Sequence, residues 1–179
     1  RVAYSLGNGK FDWHDPSVLP AFGDNKAGIL AVMDSSLLAV GEINWDGRPD
    51  VVTGTHILLG KQGQSAEEPL AFDAVYQSSR LWSEAHITDL NGDFYIDVVA
   101  CTDGAPDIDI LTGNPTILPN PSKISTDGTV GNLTVGDFDG DLIPDLAFQD
   151  TVTSSSSLLM ISYGRTSGGP EDPRQIGDF

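Results

Sequence analysis

One pattern recurs three times along the chain and limits its possible folds more than any other feature. It reads acid-x-[Asp/Asn]-x-Asp-x-x-x-Asp. It is carried by Glu42, Asn44, Asp46 and Asp50, by Asp89, Asn91, Asp93 and Asp97, and by Asp137, Asp139, Asp141 and Asp145. The first positions, 42, 89 and 137, lie 47 and 48 residues apart. The flanks repeat as well. Short runs rich in Val, Ile and Leu lead in, and Asp-Val-Val, Asp-Val-Val and Asp-Leu-Ala lead out. Self-similarity at such a period marks an array of stacked supersecondary units, each unable to bury its apolar face alone.

Each period reads as four short strands. In the first they are Leu37 to Ile43, Asp50 to Gly54, His56 to Gly60 and about Ala71 to Gln77. In the second they are Ala85 to Leu90, Asp97 to Thr102, Asp107 to Leu111 and about Ser122 to Thr126. In the third, Asn132 to Phe138, Leu146 to Gln149 and Leu158 to Tyr163 are clear, whereas Ser167 to Pro173 is turn material in place of a fourth. No segment carries the 3.6-residue period of a helix, and the apolar runs are short and β-branched. The predicted fold is all-β, in β-propeller blades of four antiparallel strands. The boundaries are a blade remnant at 1–35 and blades at about 36–84, 85–131 and 132–173. The start of a further blade is expected at 174–179, because Ile176-Gly177-Asp178-Phe179 repeats Val135-Gly136-Asp137-Phe138. Both ends are therefore expected to fall within repeats of a larger ring.

Charge narrows the partners. The 26 acidic residues outnumber 9 basic ones, for a formal net charge of −17. Such a surface repels nucleic acid and anionic membranes, which need Lys and Arg to replace counterions. No run of about 18 apolar residues could span a bilayer. The acids are interleaved with apolar runs, so the chain does not read as a disordered acidic tail. Asp supplies 21 of the 26, which suits turns better than a solvated helix face. The lone Cys101 lies inside an apolar run and excludes an internal disulfide.

Oxygen donors at positions 1, 3, 5 and 9 of one tight turn make a shell for a hard cation. Calcium takes six to eight such ligands at about 2.3–2.6 Å. Position 7, occupied by Arg48, Tyr95 and Ile143, is expected to give a backbone carbonyl, which frees its side chain to vary. Gly47, Gly92 and Gly140 allow the positive φ the turn requires. Zinc is disfavoured because no Cys or His sits in the loops. Magnesium prefers fewer protein ligands and more water. An EF-hand or dockerin loop starts in the same way. An EF-hand needs Glu at position 12, where this chain has Thr53, Ala100 and Phe148, and dockerin loops enter helices. Asp-rich turns without a metal are the plain alternative, at the expense of unscreened carboxylate repulsion. About three Ca²⁺ sites are expected, the Asp137 loop binding tightest and the Glu42 loop weakest.

These loops resemble FG-GAP repeats of the VCBS type, found in the integrin α-subunit propeller and in many secreted or surface proteins. The likeness rests on Leu90-Asn91-Gly92-Asp93 and on the run Asp137 to Leu146. Gly104-Ala105-Pro106, Ser5 to Phe11 and Phe22-Gly23 add weaker matches. The resemblance implies a seven-bladed propeller, structural Ca²⁺ between the first two strands of each blade, and ligands on the opposite face. Trp13, His14, Arg80 and Trp82, in loops of that opposite face, are then candidates for a protein or glycan ligand; packing between blades is their other role. The expected function is a non-enzymatic, extracellular or cell-surface recognition and adhesion module. Its partners would be a protein or glycan, the rest of the propeller or neighbouring subunits. The alternatives are a propeller attached to a secreted carbohydrate-active enzyme, or a subunit of a surface filament. His14, His56 and His86 are isolated, and no nucleophile or phosphate-loop motif is present. Asn132-Leu133-Thr134 is a glycosylation sequon in an expected inner strand.

Overall fold

The structure, a computed structural model, describes residues 2–5, 11–14, 37–65, 68–114, 121–166 and 169–178. Among these residues every regular element is a strand. β1 (Val2–Ser5) and β2 (Phe11–His14) form an antiparallel pair. β3 (Leu37–Gly41), β4 (Asp50–Thr53), β5 (His56–Ser65) and β6 (Glu68–Gln77) make the first four-stranded sheet. β7 (Glu84–Thr88), β8 (Asp97–Cys101), β9 (Asp107–Leu111) and β10 (Ser122–Ser125) make the second. β11 (Thr129–Gly136), β12 (Asp145–Thr153), β13 (Ser156–Ser162) and β14 (Arg174–Asp178) make the third. In each sheet, strand order follows chain order and every pairing is antiparallel. β3 lies beside β7 and β7 beside β11, so the first strands of successive sheets are neighbours, as the inner strands of propeller blades are.

The second sheet shows why this sequence stacks. All five residues of β8, Asp97-Val98-Val99-Ala100-Cys101, are buried. Side chains alternate between faces with a period of two. Val98 and Ala100 enter one core with Val52, Ile57, Trp82 and Leu111, which joins the first sheet to the second. Val99 and Cys101 enter another with Ile108, Leu133, Leu146 and Phe148, which joins the second to the third. A strand covered on both faces reads as a continuous apolar run, as β8 does. A backbone latch adds to the second junction. The Glu84 carboxylate accepts N–H bonds from Asn132 (3.2 Å) and Leu133 (2.6 Å), and His86 Nε2 lies 2.9 Å from the Leu133 carbonyl. The bulge in β11 between Gly131 and Thr134, with Asn132 at φ 51, exposes the groups that this latch binds.

The structure corrects three expectations. Arg174–Asp178 completes the third sheet as its outer strand and does not open a further blade. Leu158 pairs with Asp178 and Ile161 with Arg174, so the likeness of Ile176-Gly177-Asp178 to Val135-Gly136-Asp137 is outweighed by pairing with β13. The blade boundaries move by a few residues, because Glu84 begins β7 and Thr129 begins β11, in place of 85 and 132. Trp13 and His14 lie in β2, opposite Ala3 and Val2, not in a loop. The Phe22-Gly23 element and residues 6–10 of the Ser5 to Phe11 match lie outside the described residues.

Candidate metal centre

Each acidic loop joins the first strand of a sheet to the second. Its shape comes from two backbone devices that repeat in all three. The first is a pair of left-handed residues at positions 4 and 6: Trp45 and Gly47, Gly92 and Phe94, Gly140 and Leu142, with φ between 61° and 84°. One of each pair is glycine. The other carries a side chain at a conformational cost of about 1–2 kcal/mol. The second device is the Asp at position 9. Asp50, Asp97 and Asp145 are at most 1% exposed. One oxygen of each accepts the N–H of position 2: Ile43 at 2.6 Å, Leu90 at 2.8 Å and Phe138 at 2.8 Å. The other oxygen accepts an N–H from just beyond the third strand or within it: Gly60 at 2.8 Å, Gly113 at 2.7 Å and Gly164 at 2.8 Å. This carboxylate therefore ties the loop's entry to the third strand of the same sheet.

The three partner glycines are the functional residues that the sequence reading missed. A β-carbon at Gly60, Gly113 or Gly164 would lie 2.3 Å from the carbonyl oxygen of Pro49, Ile96 or Pro144. Each carbonyl belongs to the residue just before the position-9 Asp, so only glycine allows the backbone to approach that Asp. The glycines follow their Asp by 10, 16 and 19 residues, and this unequal spacing hides them from a gapless alignment.

Within the loops the remaining donors converge on one interior. The carboxylates of Asp89 and Asp137 each accept N–H bonds from positions 5 and 6 (Asp93 and Phe94; Asp141 and Leu142), at 2.9–3.1 Å. Glu42, one methylene longer, accepts the N–H of position 5, Asp46 N at 3.1 Å. Asn44, Asn91 and Asp139 accept from the same position-5 N–H at 3.1–3.2 Å. Asp46, Asp93 and Asp141 in turn hold the N–H of Arg48, Tyr95 and Ile143 at 2.8–2.9 Å, fixing position 7 in the turn. In the third loop, carboxylate oxygens of Asp137, Asp139 and Asp145 all lie within 4.8 Å of one another. Two oxygens on opposite sides of a calcium ion stand about 4.6–5.2 Å apart, so this donor set fits that ion. In the first two loops Asn44 and Asn91 would supply an amide oxygen in place of the third carboxylate. Burial, and then the neighbouring charges of Asp93 and Asp89, push the Asp97 carboxyl up to about 6. Burial also raises Asp50, as desolvation and the charges of Asp141, Asp145 and Asp137 raise Asp139.

Residues 89–148 match the family model described as an FG-GAP-like repeat. The match is consistent with an FG-GAP repeat fragment. It spans the second and third acidic loops, so the repeat and the metal-shaped turns coincide. The loop from Glu42 to Asp50 lies outside the matched residues yet has the same left-handed pair and the same Asp-to-glycine tie. The three four-stranded antiparallel sheets are consistent with propeller-like blades, and the FG-GAP-like match suggests a β-propeller-type module. No curated protein sequence matches the chain.

Of the four candidate ligand-binding residues, Arg80 and Trp82 are described with their side chains. Trp82 is 1% exposed and packs between the first two sheets, stacked on Tyr76 at 5.8 Å, with its Nε1 donating to Asp109 at 2.8 Å. Its role is the inter-blade packing weighed above, favoured because a buried indole needs a partner for its N–H. Arg80 is ion-paired with Asp107, which Lys123 also contacts at 3.0 Å. Trp13 and His14 belong to the β1–β2 pair.

Proposed function

We propose that this chain is a calcium-rigidified β-propeller module of an extracellular or cell-surface protein, and that it recognises a protein or glycan partner without catalysing a reaction. The observation that supports the metal is the cluster of Asp137, Asp139 and Asp145, with oxygens within 4.8 Å of one another in a turn that occurs three times. Glu42, Asn44, Asp46 and Asp50 would hold one ion, Asp89, Asn91, Asp93 and Asp97 a second, and Asp137, Asp139, Asp141 and Asp145 a third. Position 7 of each loop, Arg48, Tyr95 and Ile143, would add a carbonyl. A bound ion supplies positive charge that offsets carboxylate repulsion and the strain of the left-handed residues. The chain's own residues hold the turn open for it, through the position-9 Asp and its glycine partner.

Location follows from affinity. These loops have no bidentate Glu at position 12, and extracellular modules of this weaker kind bind calcium at about 10⁻⁴–10⁻³ M. Only extracellular calcium would fill them. At a Kd tenfold below the free concentration, each site adds about 1.4 kcal/mol. A recognition role accords with how the remaining chemical groups are used. Ten of the 26 acids lie in the loops, while His86, Trp82 and Arg80 are engaged in holding the chain together. Thermal melting tests the reading. Millimolar calcium should raise the midpoint, equal magnesium should raise it less, and excess EDTA should reverse the shift. An unchanged midpoint in all three would reject the metal.

A further inference from the structure

The left-handed positions of the acidic loops that are not glycine share a second property. Trp45, Phe94 and Leu142 are 66%, 82% and 89% exposed. Asn, Asp or Gly would fit such a backbone with less strain and would be better solvated. The chain instead places its least suitable residue type there three times, once at each loop tip. The tips adjoin. Trp45 Nε1 donates to the Phe94 carbonyl at 3.0 Å, and a β-carbon at Gly92 would meet Ile143 and Thr166 at 3.9 Å. Large exposed apolar side chains on adjoining loops mark an interaction site.

We infer that this row is a docking site for a protein partner whose apolar contact residues are ringed by lysine and arginine. The rim selects the partner. Asp46, Asp93 and Asp141 each sit between two left-handed residues; Arg48 pairs with Asp46 at 3.4 Å and Arg165 and Arg174 are held by Glu171, while the ten loop carboxylates exceed the six charges that three divalent ions would bring. A second copy would set acid against acid, and an anionic bilayer would be repelled in the same way. A basic rim around apolar anchors is complementary in both respects. The face is the one that bears the acidic loops, opposite to the face expected from the resemblance. The inference goes beyond the metal reading and stands with or without ions in the loops.

The test uses a peptide of alternating leucine and lysine as the probe, with leucine–glutamate and serine–lysine peptides as controls, titrated against the full chain by calorimetry. The leucine–lysine peptide should bind, and both controls should bind at least about tenfold more weakly, since anchor residues carry most interface energy. The double variant Phe94→Gly, Leu142→Gly should lose about tenfold or more in affinity while melting higher than the parent, because glycine relieves the left-handed strain. Trp45→Ser, a change at the tip of the first loop, should show the same loss. Equal binding of the serine–lysine peptide, or unchanged affinity in the variants, would overturn the inference. So would sedimentation of the chain with phosphatidylserine vesicles while the leucine–lysine peptide fails to bind. Calcium-induced melting shifts are measured on the same samples. Their absence would count against the metal and leave peptide binding standing, and the converse result would do the opposite.

Discussion

Replacing Gly113 with alanine should unfold the second blade's loop from a distance. The new methyl would start 2.3 Å from the Ile96 carbonyl oxygen, closer than a β-carbon can stand, and a tight 3.0 Å from its carbon, and both atoms are backbone. The segment after β9 must therefore move away from the loop exit. That movement breaks the 2.7 Å bond from Gly113 N to Asp97, a bond to an ionisable group worth about 1.5–3 kcal/mol. Overpacking of a tight site adds about 1–3 kcal/mol. The combined loss of about 3–5 kcal/mol corresponds to a fall in melting midpoint of roughly 10 °C for a chain of this length. The assay is thermal denaturation with and without calcium, beside the control Gly131→Ala, whose β-carbon meets nothing within 4 Å. The calcium-dependent part of the shift should shrink by about one site's share, because Asp97 loses the N–H that aims its second oxygen. A Gly113→Ala chain that melts within a degree of Gly131→Ala would refute the argument that Asp97 is set by this backbone contact.

Two further outcomes follow from buried groups. Cys101 is 1% exposed, and burial pushes its thiol up to about 12, so a disulfide reagent should label the native chain roughly three orders of magnitude more slowly than the urea-unfolded chain; rapid native labelling would contradict the packing of β8. The Asp97 carboxyl, raised to about 6, makes the metal-free fold favour its protonated form. Its contribution to stability is then present below the ordinary carboxylate range and is lost as pH rises through about 6. Bound calcium needs the ionised form, so calcium affinity at this loop should fall as pH drops below about 6, and a pH-independent affinity between 5 and 7.5 would oppose this.

The fold was legible where chemistry recurs at fixed spacing. The loops at 42, 89 and 137, and the strands that follow the first two at Asp50 and Asp97, lie where the pattern put them, and β9 matches the expected Asp107 to Leu111; the strand expected at Leu146 to Gln149 runs longer, Asp145–Thr153. What was hidden depends on contacts distant in sequence. Gly60, Gly113 and Gly164 serve one purpose at unequal distances, so no alignment brings them together. β14 follows a turn-rich stretch and is decided by pairing with β13, not by its own residues. Trp82 sits in a loop of the chain, as the sequence suggests, but its indole turns inward to Tyr76 and Asp109. The second left-handed position of each loop was also unforeseen, because Trp45, Phe94 and Leu142 oppose the local preference that a sequence reading must rely on.

The central claim is that three turns of one shape each hold a hard divalent ion. Equilibrium dialysis against calcium counts those ions directly. The account predicts one ion per acidic loop, three in the chain, falling by one in Asp139→Asn, Asp145→Asn with the other two retained. A chain that binds no calcium at millimolar concentration, or binds it equally well after that double substitution, would contradict it.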